Sequence, residues 1–306
     1  MGAKDDFVKR IRVLHGTINS VDAVRNKDFS CIEHNETAKM LRNGLAVVGF
    51  SFLEDFIKRR SDEVVSLLGT FGVPFEDLPE KVQIASTYGA VNAISYQISL
   101  RNGEDKVAFV QEHAKKIAST SETAFDLTSM AFGYGQSNIG ADSVKDILKA
   151  FQVHDPWGQI TNIASSLGLA ALPLNESFKN AARRRHRAAH VADCDTPQGD
   201  ISQYISEAFS IAVGFDFLIS AAVREIRSHN QDYLRSGSTI SSTDITIRAI
   251  RHSGGKWKEF VSGRSRAHRV SSDFQRLASE AKRRAVVSGD FYIQFDEQGV
   301  VSDWAC

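Results

Sequence analysis

The chain has 306 residues, enough for one large core or for one large and one small domain. Its 37 Lys and Arg balance 37 Asp and Glu, so net charge does not decide whether the partner is an anionic polymer. Cys31, Cys194 and Cys306 are scattered and odd in number, which argues against a disulfide framework and for a reducing compartment. Asp5 and Asp6 open the chain with no apolar run behind them, so no secretory signal is expected. The most apolar stretches are short or broken by Glu54, Glu207 and Asp216, so no membrane span is expected and the cytoplasm is the expected location.

In chain order, Phe7, Ile11, Leu14, Ile18 and Val21 recur at steps of four and three, the pattern of an amphipathic helix. Asn35-Glu36-Thr37 opens a longer helix to Leu68, apolar nearly all round from Leu45 to Ile57 and therefore expected to be buried on most sides. Glu54 stands inside that part. Either its carboxylate reaches the helix edge, or it is a buried anion that needs a cation. Helices follow over Val82–Leu100 and Lys106–Ser119, joined by a turn at Arg101–Asp105. The glycine-rich stretch Gly133–Gly140 lacks the preceding strand and the following GK[ST] of a phosphate loop, and reads as a connector. Short helices are expected from Ser143 to Phe151 and on to about Leu167, then one from Asn175 and a long one from Ile201 to Leu234. Ser236–Thr243 has the small polar residues of a linker. Beyond it the pattern predicts a strand at Ile245–Ile250, a helix capped by Ser272, and a hairpin of Phe291–Phe295 with Val300-Val301. The expected fold is mainly α, an all-α domain over 1–238 followed by a small basic α+β module over 239–306.

Asn175–Ala192 carries the chemistry. With Arg185 as origin, Phe178, Ala181, Ala182, Ala188, Ala189 and Ala192 fall within about 60° of it on a helical wheel. Arg185 thus sits amid an alanine face, a costly place for an unpaired guanidinium, and Glu54 is the expected partner. Lys179, Arg183, His186, Arg187 and His190 share the neighbouring arc. Ser177–Ala192 holds five Lys or Arg (Lys179, Arg183, Arg184, Arg185, Arg187) and no acid. Ile245–Ser288 holds eleven basic residues against three acidic ones. Both stretches suit either a solvated face or an anionic polymer.

His186 and His190 have the i, i+4 spacing of a helical metal pair, but Arg187 stands where a zinc peptidase has its glutamate, so no metal is expected. Imidazole beside guanidinium also serves phosphodiester cleavage: the His moves a proton and the Arg holds the phosphate. With the RNA 2′-OH as attacker, no metal or other cofactor is needed. One helix offers one or two imidazoles, and a two-fold dimer with the motif helices face to face would supply acid and base together.

Arg185-His-Arg-Ala-Ala-His190 resembles the Arg-x4-His signature of the HEPN superfamily, in which a polar residue commonly follows the Arg. Leu41–Phe56, with its embedded Glu54, is similar to a helix of RiboL-PSP-type HEPN domains, and Ser143–Pro156 to their short helix before an Asp-Pro turn. The resemblance covers roughly residues 5–235. It implies a helical bundle, a homodimer with the motif at its interface, and a metal-independent endoribonuclease. Its setting would be a toxin–antitoxin or antiviral system, with an antitoxin or defence-system protein as a further partner. In that assignment Arg185, His190 and His186 are catalytic and Glu54 supports Arg185. Lys179, Arg183, Arg184 and Arg187 track the RNA. Arg183 and Arg184 also satisfy the looser Arg-x4–6-His spacing, so the choice of Arg185 rests on the wheel. Some members of the superfamily bind without cutting, and that alternative stays open.

Overall fold

The computed structural model describes residues 2–101, 103, 106–169 and 173–306. The protein is mainly helical with a small mixed sheet at its C-terminal end. Helix α1 (Ala3–Ser20) buries Phe7, Ile11, Leu14 and Ile18 of the predicted stripe, while Val21 lies just past its end and is exposed. It packs on α2 (Ile32–Leu68), and both pack on α9 (Gln198–Arg227). The three axes converge at Gly49, where a Cβ would stand 2.8 Å from Leu14 and where Tyr204 donates to the Gly49 carbonyl at 3.0 Å. A larger residue there would push the helices apart.

Helix α2 is buried on most sides only from Gly49 onward; before that, Met40, Leu41 and Val48 lie exposed. The stretch read as one helix from Val82 to Leu100 is α3 (Glu80–Ile84), a π turn (Ala85–Gly89) and α4 (Ala90–Leu100). Helix α5 (Lys106–Ser119) follows; the turn expected at Arg101–Asp105 lies largely outside the described residues. Helices α6 (Ala141–Ala150) and α7 (Pro156–Ser166) lead to α8 (Leu174–His190).

Helix α9 is the hub of the bundle. By length and composition alone it could cross a membrane, but 94% of its most apolar window is buried inside the protein. It stops at Arg227, short of the expected Leu234, because His229 takes a positive φ of 55° and turns the chain. Asn230 then caps the short α10 (Gln231–Leu234), its side chain accepting from the amides of Asp232 and Tyr233. The expected linker is pinned: Ile240 is buried and exchanges backbone hydrogen bonds with Gln152 and His154 at 3.0 Å each.

The sheet has the order β3-β2-β1-β4-β5. Its strands are β1 (Ile247–Ser253), β2 (Lys256–Val261), β3 (Arg269–Ser271), β4 (Phe291–Phe295) and β5 (Val301–Ala305). Strands β1 and β4 are parallel, connected through α11 (Phe274–Ser288), and the other pairs are antiparallel. Asp273, not Ser272, caps α11, accepting from the Arg276 amide. The hairpin expected at the end of the chain is β4–β5; β2 and β3 had no counterpart in the sequence reading. The change of texture near residue 238 does not interrupt the core, since Phe291, Ile293, Phe295, Val301 and Trp304 share one hydrophobic cluster with α1, α2 and α9.

Trp304 is the anchor. It is fully buried, its ring packs edge-on to Phe7 and Phe56, and its indole N–H donates to Asp216 Oδ2 at 2.7 Å. Replacing it by Ala removes the largest buried side chain of the sheet and one donor of a buried carboxylate. Trp304→Ala is expected to lose about 3–5 kcal/mol of stability, measured as a shift in the urea midpoint. A loss under about 0.5 kcal/mol would mean that the sheet does not depend on this anchor.

Candidate functional site

Helix α8 divides into two halves. Leu174, Ser177, Phe178 and Ala181 are buried, with Phe178 edge-on to Phe50 at 5.3 Å and the Ser177 hydroxyl donating to Glu207 at 3.0 Å. Past Ala181 the helix runs out along α2, so that Arg185 and Ala188 are half-buried while Ala189 and Ala192 are exposed. The alanine face is therefore only partly covered within one chain. The helix begins one residue earlier than Asn175, which is not its cap; Pro173 holds that position, and Asn175 Oδ1 is buried with no hydrogen-bond partner among the described residues.

The expected Glu54–Arg185 ion pair does not form. Glu54 is 7% exposed, and its Oε1 accepts the backbone N–H of Ile139 at 2.8 Å. Arg185 instead reaches the side-chain oxygen of Asn138 at 3.4 Å, and its Nε is buried with no hydrogen-bond partner among the described residues. One segment, Asn138-Ile139, serves both groups, and an amide dipole satisfies the carboxylate in place of a full charge. Burial raises the proton affinity of Glu54; the Ile139 N–H, Lys58 and Arg185 oppose the rise. The anion is buried as one sequence reading had it, but the partner is different.

The glycine-rich stretch is consequently more than a connector. At its other end the Tyr134 hydroxyl donates to Asp62 at 2.7 Å, and Lys58 lies 5.8 Å from the centre of the Tyr134 ring. Gly133 has φ +79°, and a Cβ there would meet Ile139 and Lys58 at 3.0 and 3.1 Å, so glycine permits both the turn and the close approach. Glu54, Lys58 and Asp62 stand at steps of four on α2, forming one stripe under the loop. Sequence reasoning missed Asn138, Lys58, Tyr134 and Asp62; the E-x3-K-x3-D spacing was the available signal.

The remaining predicted residues sort by face. The His186 and His190 rings lie 4.7 Å apart, both exposed. Arg183 and Arg187 are exposed beside them; among the described residues Arg183 bonds only Asn180, at 3.3 Å. Lys179 pairs with Glu176 at 2.9 Å, one turn nearer the start of the helix. Arg184 points the other way, donating to the Asp200 carbonyl at 2.8 Å, so it ties α8 to α9 and does not join the cluster. Beside His190 lies an open groove of about 940 Å³ between α2 and the end of α8. Its walls include Met40, Val47, Val48, Ala188, Ala189 and Val191.

Among the described residues, no three His, Cys, Asp or Glu side chains converge as metal ligands would. No family model, curated protein or solved structure matches the chain.

Asp62 gives the loop a pH dependence. Burial, partly offset by the Tyr134 hydroxyl, pushes its carboxyl up to about 7 from the ordinary 3.8. Between those values the native state holds a proton that the unfolded chain has lost, so stability falls as pH rises through that window and levels off above it. Asp62→Asn keeps an acceptor for Tyr134 without the buried charge. The variant should match wild type near pH 4 and exceed it at pH 8 by ~1–3 kcal/mol. Equal melting temperatures at pH 8 would contradict the raised carboxyl.

Proposed function

We propose that the protein is a metal-independent endoribonuclease of the HEPN type, acting as a homodimer through α8. The observation that carries the reading is the pair of neighbouring imidazoles, His186 and His190, exposed on α8 with Arg183 and Arg187, while the half-buried Arg185 stands on the adjoining arc of the same helix. A buried carboxylate and a fixed loop lie behind Arg185, and beside the imidazoles is an open groove whose apolar floor is bordered by Glu33, Glu36 and Lys39. Mixed helix and sheet exist in many proteins, and the fold itself adds little.

In this reading Arg185 binds a phosphate oxygen of RNA and stabilises the charge that builds on it. A neutral imidazole, His190, takes the proton from the 2′-OH as that oxygen forms a bond to phosphorus. The P–O5′ bond breaks, and a protonated imidazole gives its proton to the departing 5′ oxygen. The products are a 2′,3′-cyclic phosphate and a 5′-hydroxyl. His186 orients its neighbour or shares the proton, and Arg183, Arg187 and Lys179 follow the backbone. Glu54 acts at one remove: it holds Ile139, which places Asn138 against Arg185. The second imidazole comes from another copy of the chain, whose α8 covers the exposed alanines and the groove. The setting we infer is cytoplasmic, as the effector of a toxin–antitoxin or antiviral system.

A second reading, RNA or protein binding without cleavage, draws on the half-burial of Arg185 beneath Asn138, which limits its reach. The discriminating assay uses purified protein and mixed RNA in EDTA. Cleavage is expected to survive the chelator and to leave cyclic-phosphate and 5′-hydroxyl ends, with His190→Ala slower by ~10²–10⁴-fold. Loss in EDTA with rescue by a divalent ion would overturn the metal-free reaction. Binding by wild type with no cleavage at any protein concentration would favour the second reading.

The dimer makes a separate prediction. An Arg185→Ala, His190→Ala chain paired with a wild-type chain leaves one Arg185 and one His190, both on the wild-type chain. If acid and base come from opposite chains, the mixed dimer loses nearly all cleavage. About half the wild-type rate, or full activity from a monomer, would rule out the shared site.

A further inference from the structure

The eleven basic residues between Ile245 and Ser288 do not behave alike. Arg248 and Arg284 are spent on Glu259, which is fully buried, at 2.8 and 2.6 Å. Arg276 pairs with Glu280 at 3.0 Å and Lys282 with Asp303 at 2.6 Å. Arg251 lies over the Phe295 ring at 4.3 Å and donates to the Leu167 carbonyl. Among the described residues, Lys256, Lys258, Arg264, Arg266, Arg269 and Arg283 have no carboxylate partner and no side-chain hydrogen bond; Arg283 is on α11, and the other five lie on the β2–β3 hairpin. Between Ser253 and Ser271 the sequence has one acid, Glu259, and its charge is consumed inside. The hairpin thus presents five uncompensated positive charges on a protein whose net charge is zero.

The same hairpin is a firm platform. Trp257 is stacked between His252 and Phe274, with ring centres at 4.9 and 4.5 Å, which fastens β2 to β1 and to α11. The His268 amide donates to the Glu259 carbonyl at 2.7 Å, extending the β2–β3 ladder toward the loop. In the sheet order this hairpin is the margin opposite β5, whose Trp304 anchors the sheet in the bundle. Strand alternation sends Lys256 and Lys258 to one side and Arg269 to the other, with Arg264 and Arg266 in the loop between. Charge on a sheet edge also discourages pairing with other chains, but one or two lysines suffice for that. Five charges along both sides and the tip fit a phosphate backbone passing across the edge.

We infer that the β2–β3 hairpin is a second RNA-binding surface, which holds the substrate strand by its phosphates away from the α8 cluster. The inference rests on the RNA reading of α8 for its choice of polymer, and binding is sequence-independent because no base-reading group takes part. Hairpin and cluster then divide the work: the hairpin sets affinity for long strands, and α8 carries the bond to be cut.

The test uses the full-length chain with His190→Ala, so that binding is read without cleavage. Its affinity for a 30-nucleotide single-stranded RNA is measured from low to moderate salt, with and without Lys256→Gln, Lys258→Gln, Arg264→Gln, Arg266→Gln and Arg269→Gln together. Each lost phosphate contact should flatten the slope of log affinity against log salt by about 0.7. The five-fold variant should flatten it by about 2–3.5 and melt within a few degrees of the parent. In the chain that retains His190, the same five changes should raise KM for the 30-mer and leave kcat, and the rate on a trinucleotide, unchanged. An unchanged salt slope overturns the inference. So does a variant whose only change is self-association, which would show edge protection, or one that loses binding to phosphatidylserine vesicles and not to RNA. If no RNA is cut but the hairpin still governs the salt slope, the nuclease proposal fails and this inference stands. If RNA is cut while the slope is unmoved, the reverse holds.

Discussion

Asp216 is the constraint on which the rest of the structure depends. It sits in the middle of α9, 3% exposed, and receives Arg60 of α2 at 2.6 Å, the Trp304 indole of β5 at 2.7 Å and the Ser220 hydroxyl at 3.2 Å. A carboxylate removed from water is tolerated only when paired and hydrogen-bonded, and here those partners come from α2, α9 and β5. Burial by itself would lower the proton affinity of Arg60, but the charge of Asp216 and its hydrogen bond more than offset this. The acid that seemed to interrupt an apolar helix joins the long helices to the sheet. Apart from Ser220, one turn on, its partners are 156 and 88 residues away, so local sequence shows the need for a charged partner without naming it.

That limit recurs at the candidate site. Periodicity gave the helices, because burial of one face every three to four residues is a local signal. The same logic marked Glu54 and Arg185 as charges in apolar surroundings and then matched them with each other, as the two anomalies in view. The structure inserts Asn138-Ile139 between them. Neither residue stands out in sequence, since an amide N–H is present at every non-proline position and carries no compositional mark. A helical wheel shows which residues share the alanine arc but not how far along the helix it is covered, and α8 extends past the body that buries its first half. Strand β2, Lys-Trp-Lys-Glu-Phe-Val, was missed for a related reason: its charged Glu259 faces inward and its lysines outward, so polarity does not report the pleat.

Ion pairing explains why the basic C-terminal stretch was ambiguous. A count of eleven against three treats every charge as equal. In three dimensions one buried acid, Glu259, neutralises two arginines that are distant in sequence, and most of the surplus is left on the β2–β3 hairpin. Net charge is a property of composition, but the field that a polyanion meets is set by which charges remain unpaired at the surface.

The end of α8 is exposed yet not loose. Directly after it, Arg42 of α2 is 3% exposed and donates to the Thr196 carbonyl at 2.9 Å, to Asp195 at 2.6 Å and to the Val24 carbonyl at 3.0 Å. Asn43 receives the Thr196 amide at 3.1 Å and donates to the Cys194 carbonyl at 2.6 Å. A buried guanidinium whose hydrogen bonds close a turn holds that turn in one geometry, because each bond lost would leave an unsatisfied group in the interior. His190 therefore stands four residues from a fixed point, and Arg185 leans on a loop that Glu54 and Asp62 fasten to the same helix. Rigid support beneath an uncovered apolar strip is wasteful for a surface that meets only water. It is what a site needs if imidazoles from two chains must come within reach of one phosphate, since positional error from each side adds at the shared atom.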